Sequence, residues 1–307
     1  MKQDDFRSAL AGIEPEPGQK EKMLATILDR KEKGINMKRK NMKLIPLVAG
    51  CLLMMSVAVL ASDSIGFFKV FFGESVNIVA ENIFSPQSQA ENEDYRLVVE
   101  GVVSDEYSHV SVVSVEALNE RAKNVSRGFQ DHFKILKGEN AAESSSSSVI
   151  ELESLKEKNK RYYILKYKST DEILTEPLIV SFEKDGGKLS TQIPMADTLP
   201  AIEIRMDQNH YEHQAYRPQT VKISPLSIVV KGYEKEAKYQ IPTPKIVATF
   251  DNGEKMNLLD NEFSASRFPE ENITTATKVF DKIINIDKIA SITVDGIEYQ
   301  AGEGSSF

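Results

Sequence analysis

Tryptophan is absent from the 307 residues, and cysteine occurs only once, at Cys51. A single cysteine excludes an intramolecular disulfide and any metal site built from several cysteines. Small secreted domains that cannot bury a large core usually depend on disulfides. If part of this chain lies outside the cell, its fold must therefore be stable without cross-links.

Motifs of catalysis are also missing. The sequence contains no nucleophile elbow, no glycine-rich phosphate loop and no His-Glu-x-x-His zinc motif. Only four histidines occur: His109, His132, His210 and His213. The spacing of His210 and His213 leaves a divalent-metal site as an alternative, although two exposed histidines in a polar connector explain it more simply. We therefore predict a non-enzymatic protein without metal or cofactor.

The formal net charge of −8 is distributed unevenly. Residues 1–43 contain eleven Lys and Arg against seven Asp and Glu, a net charge of +4, so the remainder carries −12. A basic segment followed by an acidic body favours a membrane anchor over a nucleic-acid binder. We expect no direct binding to nucleic acid.

The run from Leu44 to Ala61 has eighteen residues without a charge, in a chain of which 27% of the residues are charged. About twenty apolar residues in a helix span a bilayer, with a lower limit near seventeen. We therefore predict a transmembrane helix over residues 44–62, in contact with the lipid bilayer. Positive charge next to a span is retained on the cytoplasmic side, which places the N-terminus inside the cell and the C-terminal domains outside. The basic residues that determine this topology are Lys38, Arg39, Lys40 and Lys43.

Two processing signals compete with an intact anchor. Val48-Ala49-Gly50-Cys51 matches the small-residue pattern before a lipidated cysteine, but only Leu44 to Leu47 precede it. Cleavage after Ala61 is the second alternative, but the 43 residues before the apolar run are far more than a signal peptide normally has. We predict that the anchor stays in place.

Residues 1–43 form the predicted cytoplasmic segment, in which Pro15 and Pro17 separate two short amphipathic helices. Two helices this short bury little area by themselves, which favours docking to a partner. A solvated spacer whose apolar stripe packs on itself is the alternative. The predicted docking residues share one apolar face of each helix: Phe6, Leu10, Ile13, Met23, Leu24, Ile27 and Leu28.

After the apolar run the periodicity changes twice. Residues 63–93 begin with aromatic and aliphatic residues at helical spacing, which predicts a juxtamembrane helix followed by a polar linker over Pro86–Glu93. From Tyr95 onward, β-branched residues and short turns predict strands. The expected fold is mainly β, with two antiparallel β-sandwich ectodomains at residues 94–207 and 208–300 and a loose tail at 301–307.

Several local predictions refine these two β units. Residues 138–148, with the serine run Ser144–Ser148, are predicted to be a flexible loop. Ile202–Met206 is predicted to be the strand that closes the first unit. Turns are predicted where residues that tolerate positive φ occur together, at Asp185-Gly186-Gly187, Asp251-Asn252-Gly253 and Asp295-Gly296.

This layout resembles that of Gram-positive bacterial single-pass membrane proteins with immunoglobulin-like extracytoplasmic domains, many of which are grouped with extracytoplasmic-function anti-sigma factors. The resemblance rests on the pattern from Phe6 to Leu28, the basic flank and apolar run, the segment Tyr95–Leu118 and the closing segment Ile286–Tyr299. It implies immunoglobulin-like ectodomains and a cytoplasmic segment that binds a sigma factor. Residues 1–43 lack the HxxxCxxC arrangement of zinc-type anti-sigma domains, which is a departure from part of that group.

We expect one of two functions from this layout. The first is a membrane-anchored regulatory protein, an envelope sensor of anti-sigma type whose cytoplasmic helices hold a sigma factor. Release would follow a conformational change or proteolysis near residues 62–93. The second is a structural or adhesive surface protein whose β-sandwiches bind a component of the cell envelope.

Overall fold

The computed structural model describes residues 61–123, 129–137, 145–169, 174–184, 187–212, 216–234, 243–259, 263–268, 270 and 272–300. Within these ranges the protein is mainly β, as predicted, and its strands form four antiparallel sheets. None of the helices there is long and apolar enough to cross a membrane. Residues 44–60 of the predicted span, the segment 1–43 and the tail 301–307 lie outside the described residues.

The described chain begins with a helical segment. Helix α1 spans Ala61–Phe72, and two 3₁₀ turns follow at Gly73–Ile78 and Ala80–Asn82. Gly73 has a φ of +64°, which glycine adopts without strain, and it stands at the end of the α-helix. The region for which a juxtamembrane helix is predicted therefore begins with a helix, which ends well before residue 84.

Eight strands among the described residues form the first β unit. They form a five-stranded sheet and a three-stranded sheet. The strands are β1 (Gln89–Glu91), β2 (Tyr95–Ser104), β3 (Ser108–Ala117), β4 (Phe133–Lys137), β5 (Ser145–Glu151), β6 (Lys160–Ser169), β7 (Leu178–Lys184) and β8 (Gly187–Ile193). The strand order is β1-β2-β3-β6-β5 in the larger sheet and β4-β7-β8 in the smaller one.

Two predictions for this unit are wrong. Ser145–Ser148 are not in a loop, since they form the start of β5 and pair with the end of β6. Strand propensity depends strongly on context, and the long β6 offers these serines an edge with which to pair. Pro86–Glu93 is not simply a linker either, because β1 pairs with β2. Strand β4, which pairs with β7, was not predicted.

The two sheets of the first unit share one hydrophobic core. Alternate side chains of a strand point to the same face, so each sheet contributes every second residue of its strands. Burying a Val, Leu or Phe side chain completely stabilises the fold by about 1.5–3 kcal/mol. The fully buried members of this core include Leu97, Val99, Val113, Val115, Tyr163, Leu178, Val180 and Phe182.

In the part of the chain that the structure describes, nine strands form the second β unit. They are β9 (Ile202–Arg205), β10 (Tyr216–Ile223), β11 (Ser227–Glu234), β12 (Ile246–Phe250), β13 (Lys255–Asn257), β14 (Ser264–Phe268), β15 (Ile273–Val279), β16 (Ile289–Val294) and β17 (Ile297–Gln300). The strand orders are β14-β15-β11-β10-β9 and β13-β12-β16-β17. These two sheets also enclose one core, to which Val221, Val230, Ile246 and Ile292 belong.

The boundary between the two units differs from the prediction. Strand β9 pairs with β10 of the second unit, so Ile202–Met206 does not close the first one. The reason is burial, since Ile204 and Met206 belong to the core of the second unit. The chain therefore passes from one unit to the other between β8 and β9.

The predicted tight turns of the second unit are confirmed. Asp295 and Gly296 have φ angles of +50° and +89°, and Val294 pairs directly with Ile297 across a two-residue turn. Gly253 has a φ of +83° in the turn between β12 and β13. Residues that tolerate positive φ are required at these positions.

Candidate functional site

None of the predicted docking or topology residues lies in the part of the chain that the structure describes. This holds for Phe6, Leu10, Ile13, Met23, Leu24, Ile27 and Leu28, and for Lys38, Arg39, Lys40 and Lys43. Their roles stay predictions. Of the predicted span 44–62, the structure describes only Ala61 and Ser62, with which α1 begins.

Helix α1 packs on the outer face of the five-stranded sheet of the first unit. Ser64 Oγ donates a 2.7 Å hydrogen bond to the carbonyl oxygen of Glu100. At Glu100 a β-bulge interrupts the pairing of β2 with β3. A Cβ atom on Gly101 would lie only 2.9 Å from Phe68 Cε2, so this glycine permits the close approach of helix and strand.

We call residues 61–84 the helical strap, because they cover this sheet face. The apolar side chains that the strap buries are Phe68, Phe72, Val76, Val79 and Ile83. The sheet contributes Val103, Val110, Val112 and Ile164 to the same cluster. Without the strap these sheet residues would form a contiguous apolar patch in water, which soluble surfaces rarely show.

The strap also contacts the second β unit. Leu226, Val279 and Ile283 belong to the same apolar cluster as the strap. Ser75 Oγ accepts a 3.2 Å hydrogen bond from the backbone N–H of Ile283 and donates one of 2.7 Å to the carbonyl of Phe72. The strap is therefore packed against both β units at once.

Asp105 is a buried carboxylate at the contact between the two β units, which we call the joint. Its Oδ2 accepts hydrogen bonds from Ser224 Oγ at 2.5 Å and Ser227 Oγ at 2.6 Å, in the turn between β10 and β11. Its Oδ1 accepts from the backbone N–H groups of Tyr107 and Ser108, at 2.9 and 2.7 Å. Burial raises the pKa of Asp105, and these four donors oppose the rise.

A buried cation also links the two units at the joint. Lys166 Nζ lies 2.5 Å from Asp281 Oδ1 of the second unit and 4.7 Å from the ring centre of Phe71 in the strap. Nearby, Thr277 Oγ1 donates a 3.1 Å hydrogen bond to the carbonyl of Ser169. First unit, second unit and strap therefore all meet around Lys166.

A second ion pair crosses the joint beside Asp105. Lys222 Nζ of the second unit lies 2.8 Å from Glu106 Oε2 of the first unit and 3.2 Å from Glu203 Oε2. All three side chains are partly exposed, so this contact is screened by water and contributes less than the buried hydrogen bonds of Asp105.

A serine, a histidine and an aspartate come together here, but not as a catalytic triad. Ser104 Oγ and His109 Nδ1 are 2.9 Å apart, whereas Asp105 bonds to the serines of the second unit and not to the imidazole. All three residues are almost completely buried, so a substrate has no access to them. Burial lowers the pKa of His109 to about 3, which keeps the imidazole neutral at pH 7. This arrangement is structural.

The remaining histidines form no metal centre in the described ranges. His210 Nδ1 lies 3.4 Å from Asp207 Oδ2 with both side chains half exposed, and His213 lies outside the described residues. His132 Nδ1 is 2.7 Å from the carbonyl of Glu183. Among the described side chains, no group of three or more His, Cys, Asp or Glu could hold a metal ion.

A cavity of about 260 Å³ lies where the strap meets the second unit. Ser75 and Ile78 of the strap form one wall. The other walls come from the turn between β12 and β13 and from the loop after β15. Apolar and charged side chains both line it.

The residues that build the joint were not predicted from the sequence. Asp105 accepts from the N–H groups two and three residues on, and an aspartate at such a position is a recognisable local turn signal. Ser224 and Ser227, however, lie 119 and 122 positions away in the chain. No local pattern could have paired them with Asp105.

No model of a protein family matches the sequence, and no curated protein matches it significantly. Among solved structures, the crystal structure of a conserved domain protein from Bacillus anthracis is similar to this chain. It is 13% identical, the match covers 69% of this chain and 76% of that chain, and the TM-score is 0.43. A likeness at this level carries no inference about function, so the proposals below rest on the sequence and on the contacts of the described residues.

Proposed function

We propose that this chain is a membrane-anchored, non-enzymatic regulatory protein of the cell envelope. Residues 1–43 lie in the cytoplasm, residues 44–62 span the membrane once, and both β units lie outside the cell. The observation that carries this proposal is the strap. The chain continues from the charge-free run directly into α1, which is packed on the first sheet through the buried Phe68 and Phe72. Movement of the β units relative to the membrane would therefore act on the residues next to the span.

The proposal includes an immunoglobulin-like architecture for both β units. In its support, each unit has two antiparallel sheets that enclose one apolar core. Immunoglobulin-like sandwiches are built in this way. The only cysteine, Cys51, precedes both units, so their cores hold without a disulfide.

In the proposed mechanism the N-terminal helices hold a cytoplasmic sigma factor, and the strap transmits the state of the ectodomain. Phe68 and Val76 are completely buried and β1 is paired with β2, so a protease has little access to residues 63–93 while the strap is docked. Proteolytic release near residues 62–93 would require the strap to leave the sheet first. The mechanism needs no chemistry by this chain, only a docking face whose availability changes.

Protease treatment of intact cells tests the topology. We expect residues after the span to be digested or released from outside, and residues 1–43 to be protected until the membrane is permeabilised. A cytoplasmic protein of known location serves as the control for intact cells. Protection of residues 62–307 on intact cells would refute the proposed orientation.

Co-purification tests the docking face. We expect the full-length chain to capture a sigma factor and the Leu24→Asp/Leu28→Asp variant to lose it, because both changes place charge on the apolar stripe. Lys22→Ala/Asp29→Ala changes the polar side of the same helix and should retain the partner. If the wild-type chain captures no sigma factor, the anti-sigma role is wrong.

A structural or adhesive surface protein that binds an envelope component is the second candidate. The observation that favours it is the joint, because the buried contacts of Asp105 and Lys166 fix the two β units to each other. Deleting residues 1–33 separates the two candidates. The regulatory function predicts altered transcription while the ectodomain is still displayed, and the structural function predicts no transcriptional change.

A further inference from the structure

The cavity between the strap and the second unit has the size of a site for a very small molecule. Its volume of about 260 Å³ lies just below the range of about 300–1,000 Å³ that is usual for drug-sized ligands. A ligand that fills it is therefore about as large as an amino acid or a dipeptide.

The apolar part of the lining is incompletely covered. Phe250 and Met256 are partly exposed, and Ile78 of the strap has 41% of its surface in water. Ile284 lies beside them and is almost completely buried. An apolar side chain placed here would remove the exposed surface of Ile78 from water, which is favourable.

Charges of both signs surround this apolar surface. Lys288 Nζ lies 3.1 Å from Asp251 Oδ2, so these two side chains compensate each other. Lys282 and Glu254 also line the cavity and are exposed. Within the described part of the chain, neither takes part in an ion pair. One cation and one anion at the cavity are thus available to a ligand.

We propose that this cavity binds a zwitterionic amino acid or dipeptide that carries an aromatic or branched apolar side chain. The side chain fills the apolar part, the carboxylate pairs with Lys282, and the ammonium group pairs with Glu254. A ligand with only one charge leaves either Lys282 or Glu254 without a partner. A ligand with a polar side chain leaves the apolar surface of the cavity in water. The proposal stands on the cavity itself and does not require the membrane anchor.

Ligand binding would also stabilise the docked strap. Ser75 and Ile78 belong to the strap and the other walls to the second unit, so the complete site exists only when the two are in contact. A ligand that binds only the complete site shifts the equilibrium toward that state. We expect amide hydrogen exchange in residues 73–83 to slow when the ligand is present.

Ligand-observed NMR on the purified full-length chain tests this site with L-phenylalanine and the dipeptide L-phenylalanyl-glycine as probes. At usual ligand efficiencies, a molecule of this size reaches a Kd on the order of 1 mM. N-acetyl-L-phenylalanine and L-phenylalanine amide each lack one charge, and L-serine lacks the apolar side chain. We expect each of these three compounds to bind at least about twofold to fivefold more weakly than L-phenylalanine. The relative affinities of L-phenylalanine and L-phenylalanyl-glycine show whether the site prefers an amino acid or a peptide.

Single substitutions locate the site. Glu254→Gln and Lys282→Gln should each weaken binding of the better probe by about twofold to fivefold. Lys255→Gln, next to Glu254 but not part of the cavity lining, should leave it unchanged. Absence of saturable binding, or wild-type affinity in both Glu254→Gln and Lys282→Gln, overturns the proposal. Neither result affects the topology and co-purification tests, so this inference can fail independently of the proposed function.

Discussion

Strands β3 and β8 lie in the same β unit but are buried differently. Every residue of β3 except Glu116 is buried, whereas only Leu189 and Ile193 are buried in β8. Strand β8 shows the alternation of a sheet with one face in water. Strand β3 lacks it because the strap and the second unit cover its other face. The strap therefore makes an outer face of the sheet part of the protein interior.

Strand β3 also buries polar residues, and Ser108 and Ser114 lie on the face that the strap and the second unit cover. Ser108, His109, Ser111 and Ser114 are all buried, although serine and histidine in a strand with one solvated face would normally point outward. Ser114 Oγ donates a 2.6 Å hydrogen bond to Glu100 Oε1, and His109 is bonded to Ser104. Buried polar groups usually need such partners, but Ser108 Oγ, Ser111 Oγ and His109 Nε2 have none among the described residues. Strand β8, with one face in water, does not bear this cost.

Removing a completely buried aromatic side chain of the strap should have the largest effect on the stability of the covered face of β3. Phe68 is completely buried, and Phe68→Ala is expected to lower the free energy of unfolding by about 3–5 kcal/mol through lost contacts and a cavity. Denaturant unfolding of the full-length chain, followed by tyrosine fluorescence, measures the loss. Val70→Ala is the matched control, because Val70 lies in the same helix with 43% of its surface exposed and should cost less than about 0.5 kcal/mol. Equal losses in the two variants would show that the strap is not packed on β3.

Removing the carboxylate of the joint should have the next largest effect. Asp105→Ala leaves Ser224, Ser227 and two backbone N–H groups without their acceptor, and we expect a loss of about 2–4 kcal/mol in the free energy of unfolding. Hydrogen exchange at the amides of Leu226 and Ser227 should accelerate, because both donate to Ser224 Oγ. Glu106→Ala, at the neighbouring exposed pair, is the control and should cost less than about 1 kcal/mol. Unchanged exchange in Asp105→Ala would contradict its role in the joint.

The buried histidine of β3 should make stability depend on pH. Burial lowers the folded-state pKa of His109 to about 3, below its unfolded value of about 6.5, so between these values the unfolded state binds more protons. The contribution of His109 is complete above pH 6.5 and is lost as the pH falls toward 3, by about 2 kcal/mol between pH 7 and pH 5.

Unfolding curves at both pH values measure this dependence. His109→Asn should remove it, whereas His210→Asn, an exposed histidine, should keep it. Asp105 has a raised pKa and acts in the opposite direction, but it is present in all three proteins and cancels in the comparison. If His109→Asn has the same pH dependence of unfolding free energy as the unsubstituted protein, the imidazole of His109 is not protonated more readily in the unfolded state.

Local chemistry explains which parts of the fold could be predicted. The extent of β2 and β3 and the turn at Asp295-Gly296 follow from alternation and from backbone angles that neighbouring residues determine. Strand β9 was assigned to the wrong unit, because its alternation is the same whichever sheet it joins. The serines of β5 were taken for a loop, because only the edge of β6 makes them a strand.

The candidate site was less predictable than the fold. The close approach of α1 to Gly101 depends on a bulge in β2, and the Asp105 contacts join turns more than a hundred residues apart. The double burial of β3, by contrast, left a trace in the sequence. Its segment reads Ser-His-Val-Ser-Val-Val-Ser-Val, in which valines occupy both faces of the strand. Strands that are buried on both faces are typically rich in such residues.

The smallest expected effect concerns the ion pair that connects the joint to the strap. Lys166 is 9% exposed and Asp281 is 68% exposed, so water screens the carboxylate and Asp281→Asn should cost at most about 1 kcal/mol of unfolding free energy. The loss should shrink further in 1 M salt, where the Debye length is only about 3 Å. Asp287→Asn, another exposed aspartate of the second unit, is the control and should change little. A loss above about 3 kcal/mol would show that Lys166 behaves as a buried charge without another partner. In that case the charge at the joint, and not only the apolar strap, would decide how firmly the outer face of β3 is covered.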